Sequence, residues 1–408
     1  AQINVPRDYW TQVVDIELPP IVRFERQGGG KDAIDKAAKL LSEAKFPVIL
    51  SGAGVVIGDA IDDCKKLAEK LDAPVCNGYQ HNDSFPGSHP LAVGPLGYNG
   101  SKAAMELISK ADVVLALGTR LNPFSTLPGY GIDYWPKNAT IIQVDMNPDR
   151  IGLTKKVTVG ICGDAKMVSQ QILEKLTSNA GDNGREDRKN LIHQTKSAWL
   201  QTLTSLDHED DDPGTVWNKE ARERDSDRMS PRQAWRAIQA GMPEDVIISS
   251  DIGNNCAIGN AYPTFEKPRK YLAPGLFGPC GYGFPSILGA KIGCPDTPVI
   301  GFAGDGAFGI SMNEMSSCAR EEWPAITMVI FRNYQWGAEK RNSILWFDDN
   351  FVGTELDPEL SYAKVANACG LKGITAKTMD ETTKAIKQSC EDQKKGITTF
   401  IEVILNQE

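Results

Sequence analysis

The residues best suited to chemistry lie in one stretch, GFAGDGAFGISMNEMSSCAREEWPAITMVIFRNYQWG, spanning positions 301–337. Gly304 and Gly306 flank Asp305 where an apolar run, PVIGFAG (298–304), gives way to a helical pattern. Glycines there let backbone N–H groups approach an anion, and a carboxylate between them is a hard oxygen ligand able to bridge a divalent cation to phosphate. Asn333 follows the next apolar run, ITMVIF (326–331), and stands 28 residues after Asp305. If the two runs are strands of one parallel sheet, both ends open on the same crevice, and Asp305 and Asn333 can share one metal ion. A Gly-Asp-Gly triplet alone is commonly a plain turn; the second ligand one strand later is what makes the pattern specific.

Other polar groups carry weaker signals. GAGVVIG (52–58) follows a strand-like run and precedes a helical one, but its spacing is GxGxxxG, not the GxGxxG of dinucleotide sites, and a loop-packing role is equally served. No GxxxxGKS or GxxxxGKT pattern occurs, which argues against a P-loop nucleotidase. His81, His89, His193 and His208 lack ligand spacing and read as surface or capping residues, with His81 and His89 able to approach a site from the loop QHNDSFPGSHP. Arg120 ends a strand-like run, and Lys340 and Arg341 follow the metal-type stretch; each is either a solvated charge or a grip for a small anion. Asp348 and Asp349 read as a solvated loop.

These residues need a scaffold, and 408 residues imply two or three domains. From 31 to 176 helical and strand patterns alternate: DAIDKAAKLLSEA, PVILSG, DAIDDCKKLAEKL, APVCN, SKAAMELISKA, DVVLALG and TIIQVDMN. Residues 177–229 break the rhythm with mixed charge and read as a solvated linker holding one helix around LIHQTKSAWLQTL. Ser230-Pro231 looks like an N-cap with proline at the first helical position, and a second alternating unit occupies 230–408, with buried-type strands at 246–251, 298–304, 326–331 and 398–405. The expected fold class is α/β, as two doubly wound parallel-sheet domains. Ahead of them, residues 1–30 open with AQINVPRDYW, which reads as a strand leading into a connector, and Ala1 is no initiator methionine; the reading expects a preceding segment.

The net charge of −9 supplies no global basic field for nucleic acid or an anionic membrane, so a small anionic substrate requires local cations. No apolar run approaches the roughly 20 residues of a membrane span, and no signal pattern starts the chain. Nine cysteines, odd in number and without CxxC spacing, fit a reducing cytoplasm and no zinc site. The expectation is a soluble, cytoplasmic protein.

The Asp305 to Asn333 arrangement resembles the diphosphate and magnesium motif of thiamine-diphosphate enzymes. SSDIGNN (249–255) resembles that family's first loop touching the diphosphate, and GLFGPCGYGFPSILGAKIG (275–293) its Gly-rich segment around the aminopyrimidine. Residues 31–176 are similar to the central Rossmann-like domain, residues 230–408 to the C-terminal diphosphate-binding domain, and AQINVPRDYW to the last strand of a first domain. Within the family the chain most resembles the sulfoacetaldehyde acetyltransferases, with acetolactate synthases further off.

The resemblance implies the following. Asp305, Asn333 and the backbone carbonyl of Gln335 bind Mg²⁺; Gly306, Ala307, Asn254 and Asn255 face the diphosphate; Gly278 and Cys280 meet the aminopyrimidine, with Cys280 wedged between the two cofactor rings. Arg332 stands where the family carries the first of two asparagines, and Cys280 where acetolactate synthases usually carry methionine. The implied reaction takes sulfoacetaldehyde and phosphate to acetyl phosphate and sulfite, with Arg120, Lys340 or Arg341 as anion contacts and a homodimer or homotetramer as the assembly. In relatives the central domain binds FAD, binds ADP or binds neither, which leaves all three open here. The family's activating glutamate belongs to its first domain, so the reading expects this chain by itself to be inactive. A carboligase of the acetolactate synthase type acting on 2-oxo acids, a non-catalytic cofactor-binding fragment, and a nucleotide-dependent oxidoreductase using GAGVVIG are the alternatives.

Overall fold

The computed structural model describes residues 3–205 and 225–407, apart from 24, 226, 276, 321 and 349. Twelve strands are found among the described residues, in two parallel six-stranded sheets. The first comprises β1 (Pro47–Ser51), β2 (Val75–Asn77), β3 (Ala92–Pro95), β4 (Val113–Leu117), β5 (Thr140–Asp145) and β6 (Val159–Cys162), in the spatial order β3-β2-β1-β4-β5-β6. The second comprises β7 (Ile247–Ser250), β8 (Tyr271–Leu272), β9 (Val299–Gly304), β10 (Thr327–Arg332), β11 (Lys372–Ala376) and β12 (Thr399–Ile404), in the order β11-β12-β10-β9-β7-β8. The expected α/β class with two doubly wound parallel sheets is what the chain adopts.

The central strands form where the sequence is continuously apolar, because helices cover both faces of a parallel sheet. Every residue of β1, β4 and β10 is buried. The helix Lys31–Glu43 buries Ile34, Ala37, Ala38 and Leu41, one face at 3.6-residue spacing, against the first sheet. In the second unit Trp235 packs on Phe302 and Phe331 on one face of the sheet, while Phe284, Phe308 and Phe400 pack on the other. The helix Pro231–Gly241 that carries Trp235 starts as the sequence suggests. Ser230 Oγ accepts from the Gln233 amide at 3.1 Å, and Gln233 Oε1 accepts from the Ser230 amide at 3.0 Å.

Two expectations are corrected. Residues Ile3 to Trp10 make no strand: Pro6 opens a single 3-10 turn, Arg7–Thr11, and Tyr9 and Trp10 are exposed. Pro6 has no amide hydrogen to give a ladder, which favours a turn there over a strand. The helix placed at LIHQTKSAWLQTL starts earlier, spanning Arg185–Ser205, so REDRKN is helical and not linker. Its anchor is Arg188, a charged residue within that segment, whose buried guanidinium donates to the carbonyls of Leu71, Asp72, Lys45, Gly181 and Asn183. Residues 206–224, including His208, lie outside the described residues.

Candidate active site

In the second sheet β7 and β9 are neighbours, yet the chain leaves β7 toward β8 on one side and returns to β9 on the other. Such a switch point leaves a crevice beyond the strand ends. A cavity of about 170 Å³ lies there, lined by the loops that leave β7, β9 and β10. Asn254, Asn255, Gly278, Cys280, Asp305, Gly306, Ala307, Asn333 and Gln335 all line it. Residues up to 81 positions apart in sequence are thereby brought to one wall, as the strand-end argument expects.

Asp305 is buried at the start of the helix Asp305–Ser311. Its Oδ2 accepts from the Tyr334 amide at 2.7 Å and from Arg332 Nη1 at 3.0 Å, whereas Oδ1 accepts only from the Gly306 amide at 2.9 Å. Burial pushes its carboxyl up to about 6 against the pull of Arg332 and these amides. Gly306 has no room for a side chain: a Cβ there would meet the Trp336 indole at 2.7 Å. A Cβ placed on Gly337 would sit 3.4 Å from Asn333 Nδ2, 3.5 Å from Asn254 Nδ2 and 3.7 Å from Gln335 Nε2, so three amides face one point. Asn255 Oδ1 and Gln335 Oε1 are buried without a hydrogen-bond partner.

A buried carboxylate and side-chain amides line the cavity, and two of the amide oxygens are buried without a partner, a hard-oxygen set suited to a divalent cation and the anion it carries. The residues therefore fit a magnesium diphosphate. Among the described residues no three His, Cys, Asp or Glu side chains gather around a point.

Several contributors were not legible in the sequence. Asp251, buried at the end of β7, accepts from the amides of Ile252, Gly281 and Gly283 and so ties the segment carrying Gly278 and Cys280 to the strand ends. Trp336 and Glu339 also line the cavity. Asp251 lies within SSDIGNN, and Glu339 at the helix start after Gln335; position in a motif is the available signal.

The three candidate anion contacts do not line the cavity. Lys340 is paired with Glu355. Arg341 donates to the Tyr98 hydroxyl at 2.7 Å, across to the first unit. Arg120 is exposed beyond β4 and, after burial, is what holds the His81 imidazole down to about 4. His89 Nε2 lies 3.3 Å from Glu69 and its Nδ1 accepts from the Leu91 amide, His193 is exposed, and none of these histidines reaches the cavity. Asp348 is exposed, and Asp349 lies outside the described residues. In GAGVVIG the glycines bring two loops together: a Cβ on Gly54 would lie 2.6 Å from the Gly118 Cα, and the Gly54 amide donates to the Gly118 carbonyl at 2.8 Å. All nine cysteines are free, and among the described residues no helix is long and apolar enough to cross a membrane.

Two parallel sheets with an amide- and carboxylate-lined cleft at the switch point of the second are the architecture of a chain whose family matches are those of thiamine pyrophosphate enzymes. The family described as thiamine pyrophosphate enzyme, central domain, matches residues 34–176, and that described as C-terminal TPP binding domain matches residues 251–403. A probable sulfoacetaldehyde acetyltransferase of Rhizobium meliloti is 78% identical over all 408 residues, which span 69% of that protein. The sulfoacetaldehyde acetyltransferase of Roseovarius nubinhibens is 73% identical over the whole chain and 68% of its own length. A crystal structure of benzoylformate decarboxylase from Polynucleobacter necessarius shares the fold, with a TM-score of 0.74 at 19% identity over 98% of this chain and 69% of that one. The chain belongs to the sulfoacetaldehyde acetyltransferase family of thiamine pyrophosphate enzymes.

Proposed function

We propose that the protein binds thiamine diphosphate through Mg²⁺ in the cleft beyond β7, β9 and β10 and converts sulfoacetaldehyde and phosphate to acetyl phosphate and sulfite. The observation that carries this is the convergence of Asp305, Asn333, Gln335, Asn254 and Asn255 on one cavity. Asp305, Asn333 and the Gln335 carbonyl would hold the metal; Gly306, Ala307, Asn254 and Asn255 the diphosphate; Gly278 and Cys280 the aminopyrimidine, with Cys280 between the rings. Bound there, thiamine diphosphate supplies a carbon nucleophile for the aldehyde. The protein's part is to fix that group, exclude water and neutralise two small anions. Arg341 is the leading anion contact, since its partner Tyr98 is a neutral hydroxyl, whereas Lys340 already faces the Glu355 carboxylate.

On this reading residues 31–176 are the central domain and 230–408 the cofactor domain, joined by 177–229, in a cytoplasmic homodimer or homotetramer. The test is to supply the full-length protein with thiamine diphosphate, Mg²⁺, sulfoacetaldehyde and phosphate. Sulfite and acetyl phosphate should form together and depend on phosphate. Condensation of two 2-oxo acids in place of sulfite release would replace this reading with a carboligase.

A further inference from the structure

The overall reaction imposes a proton movement. In sulfoacetaldehyde the carbonyl carbon carries one hydrogen and its neighbour two; in acetyl phosphate the carbonyl carbon carries none and the methyl three. A proton must leave the first carbon, its bonding pair staying behind. The carbon–sulfur bond breaks with its pair departing on sulfite, and a proton must be delivered to the second carbon. The acyl group passes to a phosphate oxygen, whose proton is released and taken up by sulfite, so hydrogen, charge and electrons balance without an oxidant. Some group in the cleft must take and give a proton beside these carbons.

Four titratable side chains line the cavity among the described residues: Cys256, Cys280, Asp305 and Glu339. Burial pushes the Cys256 thiol up to about 12. The Cys280 thiol is pushed up as well, by burial first, then by Asp251 and Glu339, which also places the Glu339 carboxylate within electrostatic reach of Cys280. Asp305 is held by three donors. Glu339 differs from all of these. It sits in the first turn of the helix Gly337–Trp346, exposed, and no hydrogen bond or ion pair engages its carboxylate among the described residues. Its helix neighbours Lys340 and Arg341 are engaged by Glu355 and Tyr98.

We propose that Glu339 is a catalytic residue, the carboxylate that takes the proton from the carbonyl carbon of sulfoacetaldehyde and returns one to the neighbouring carbon as sulfite leaves. This rests on the functional reading above. General acid–base groups of this kind contribute about 10²–10⁴-fold in rate.

The test uses the full-length protein with thiamine diphosphate and Mg²⁺. Glu339→Gln should leave the calorimetric affinity for the cofactor and metal unchanged while sulfite release falls by about 10²-fold or more. With sulfoacetaldehyde deuterated at the carbonyl carbon, the isotope effect on sulfite release should be larger in Glu339→Gln than in the unaltered protein, because breaking that bond becomes limiting. Added formate should restore part of the activity of Glu339→Ala. A Gln variant that turns over at the original rate overturns the proposal. So does a slow variant with an unchanged isotope effect and no response of the Ala variant to formate, which is the pattern of a merely structural role. If the unaltered protein binds the cofactor but releases no sulfite, the functional reading itself fails, and the assignment of Glu339 with it.

Discussion

Arg332 Nη1 lies 3.0 Å from Asp305 Oδ2, and both side chains are buried. The guanidinium also donates to the carbonyls of Asp357 and Leu360, lies 3.7 Å from Glu402 through Nε, and stacks on Tyr334 and Tyr362. Tyr362 in turn donates to the Asp305 carbonyl at 2.8 Å. A cation is thus built in beside the carboxylate proposed to take the metal. The arginine that departs from the family's asparagine pair is a structural partner of the site and leaves Asn333 in place.

Removing that arginine should be costly in the protein without cofactor. Arg332→Asn leaves Asp305 and Glu402 buried without their counter-ion, for which about 3–5 kcal/mol of lost stability is expected. Arg332→Lys should recover little of it, because an ammonium cannot make the fork of hydrogen bonds or the stacking. Urea unfolding of the three proteins measures this; equal midpoints and slopes would show that the ion pair is unimportant.

Asp305→Asn and Asn333→Ala should each abolish metal-dependent binding of thiamine diphosphate, because each removes one of the few oxygen ligands the protein offers. Titration calorimetry with and without Mg²⁺ is the measurement. Undiminished affinity in both variants would remove these residues from the site.

Neutralising Arg341 should raise the apparent Michaelis constant for phosphate or sulfoacetaldehyde by about tenfold, equivalent to roughly 1.4 kcal/mol, with smaller changes for Lys340→Gln and Arg120→Gln. Steady-state kinetics on the three single variants decides among them. Three unchanged profiles would leave the anion to be held by other groups.

His81 gives a pH dependence of stability. Its folded value is held down to about 4 from 6.5, by burial and then by Arg120, so the unfolded chain binds a proton there before the folded one does. Stability from this group is full above the unfolded value and declines as pH falls from about 6.5 toward 4, by roughly 2 kcal/mol at pH 5. His81→Gln should remove that part of the acid sensitivity. Unfolding free energies of both proteins at pH 7 and pH 5 provide the comparison, and equal losses on acidification would contradict the assignment.

The sequence by itself determined the α/β class and the eight inner strands, and it put nine of the residues that line the cleft in the loops that follow them. Inner parallel strands are buried on both faces and must be written as continuous apolar runs, as in VVLAL of β4 and VIGFAG of β9. The loops after them carry the glycines, Asp305 and the asparagines in positions that chain order alone reveals. Tertiary structure decided the rest. The four strands without a legible signal, β3, β6, β8 and β11, are the edges of the two sheets; each has one neighbour, and β6 and β11 alternate or dilute their burial with exposed positions. The partner of Arg332, the tie made by Asp251 and the place of Glu339 in the cleft likewise follow from which side chains distant segments bring together. A buried charge is settled by what surrounds it in space, and spacing along the chain does not encode that.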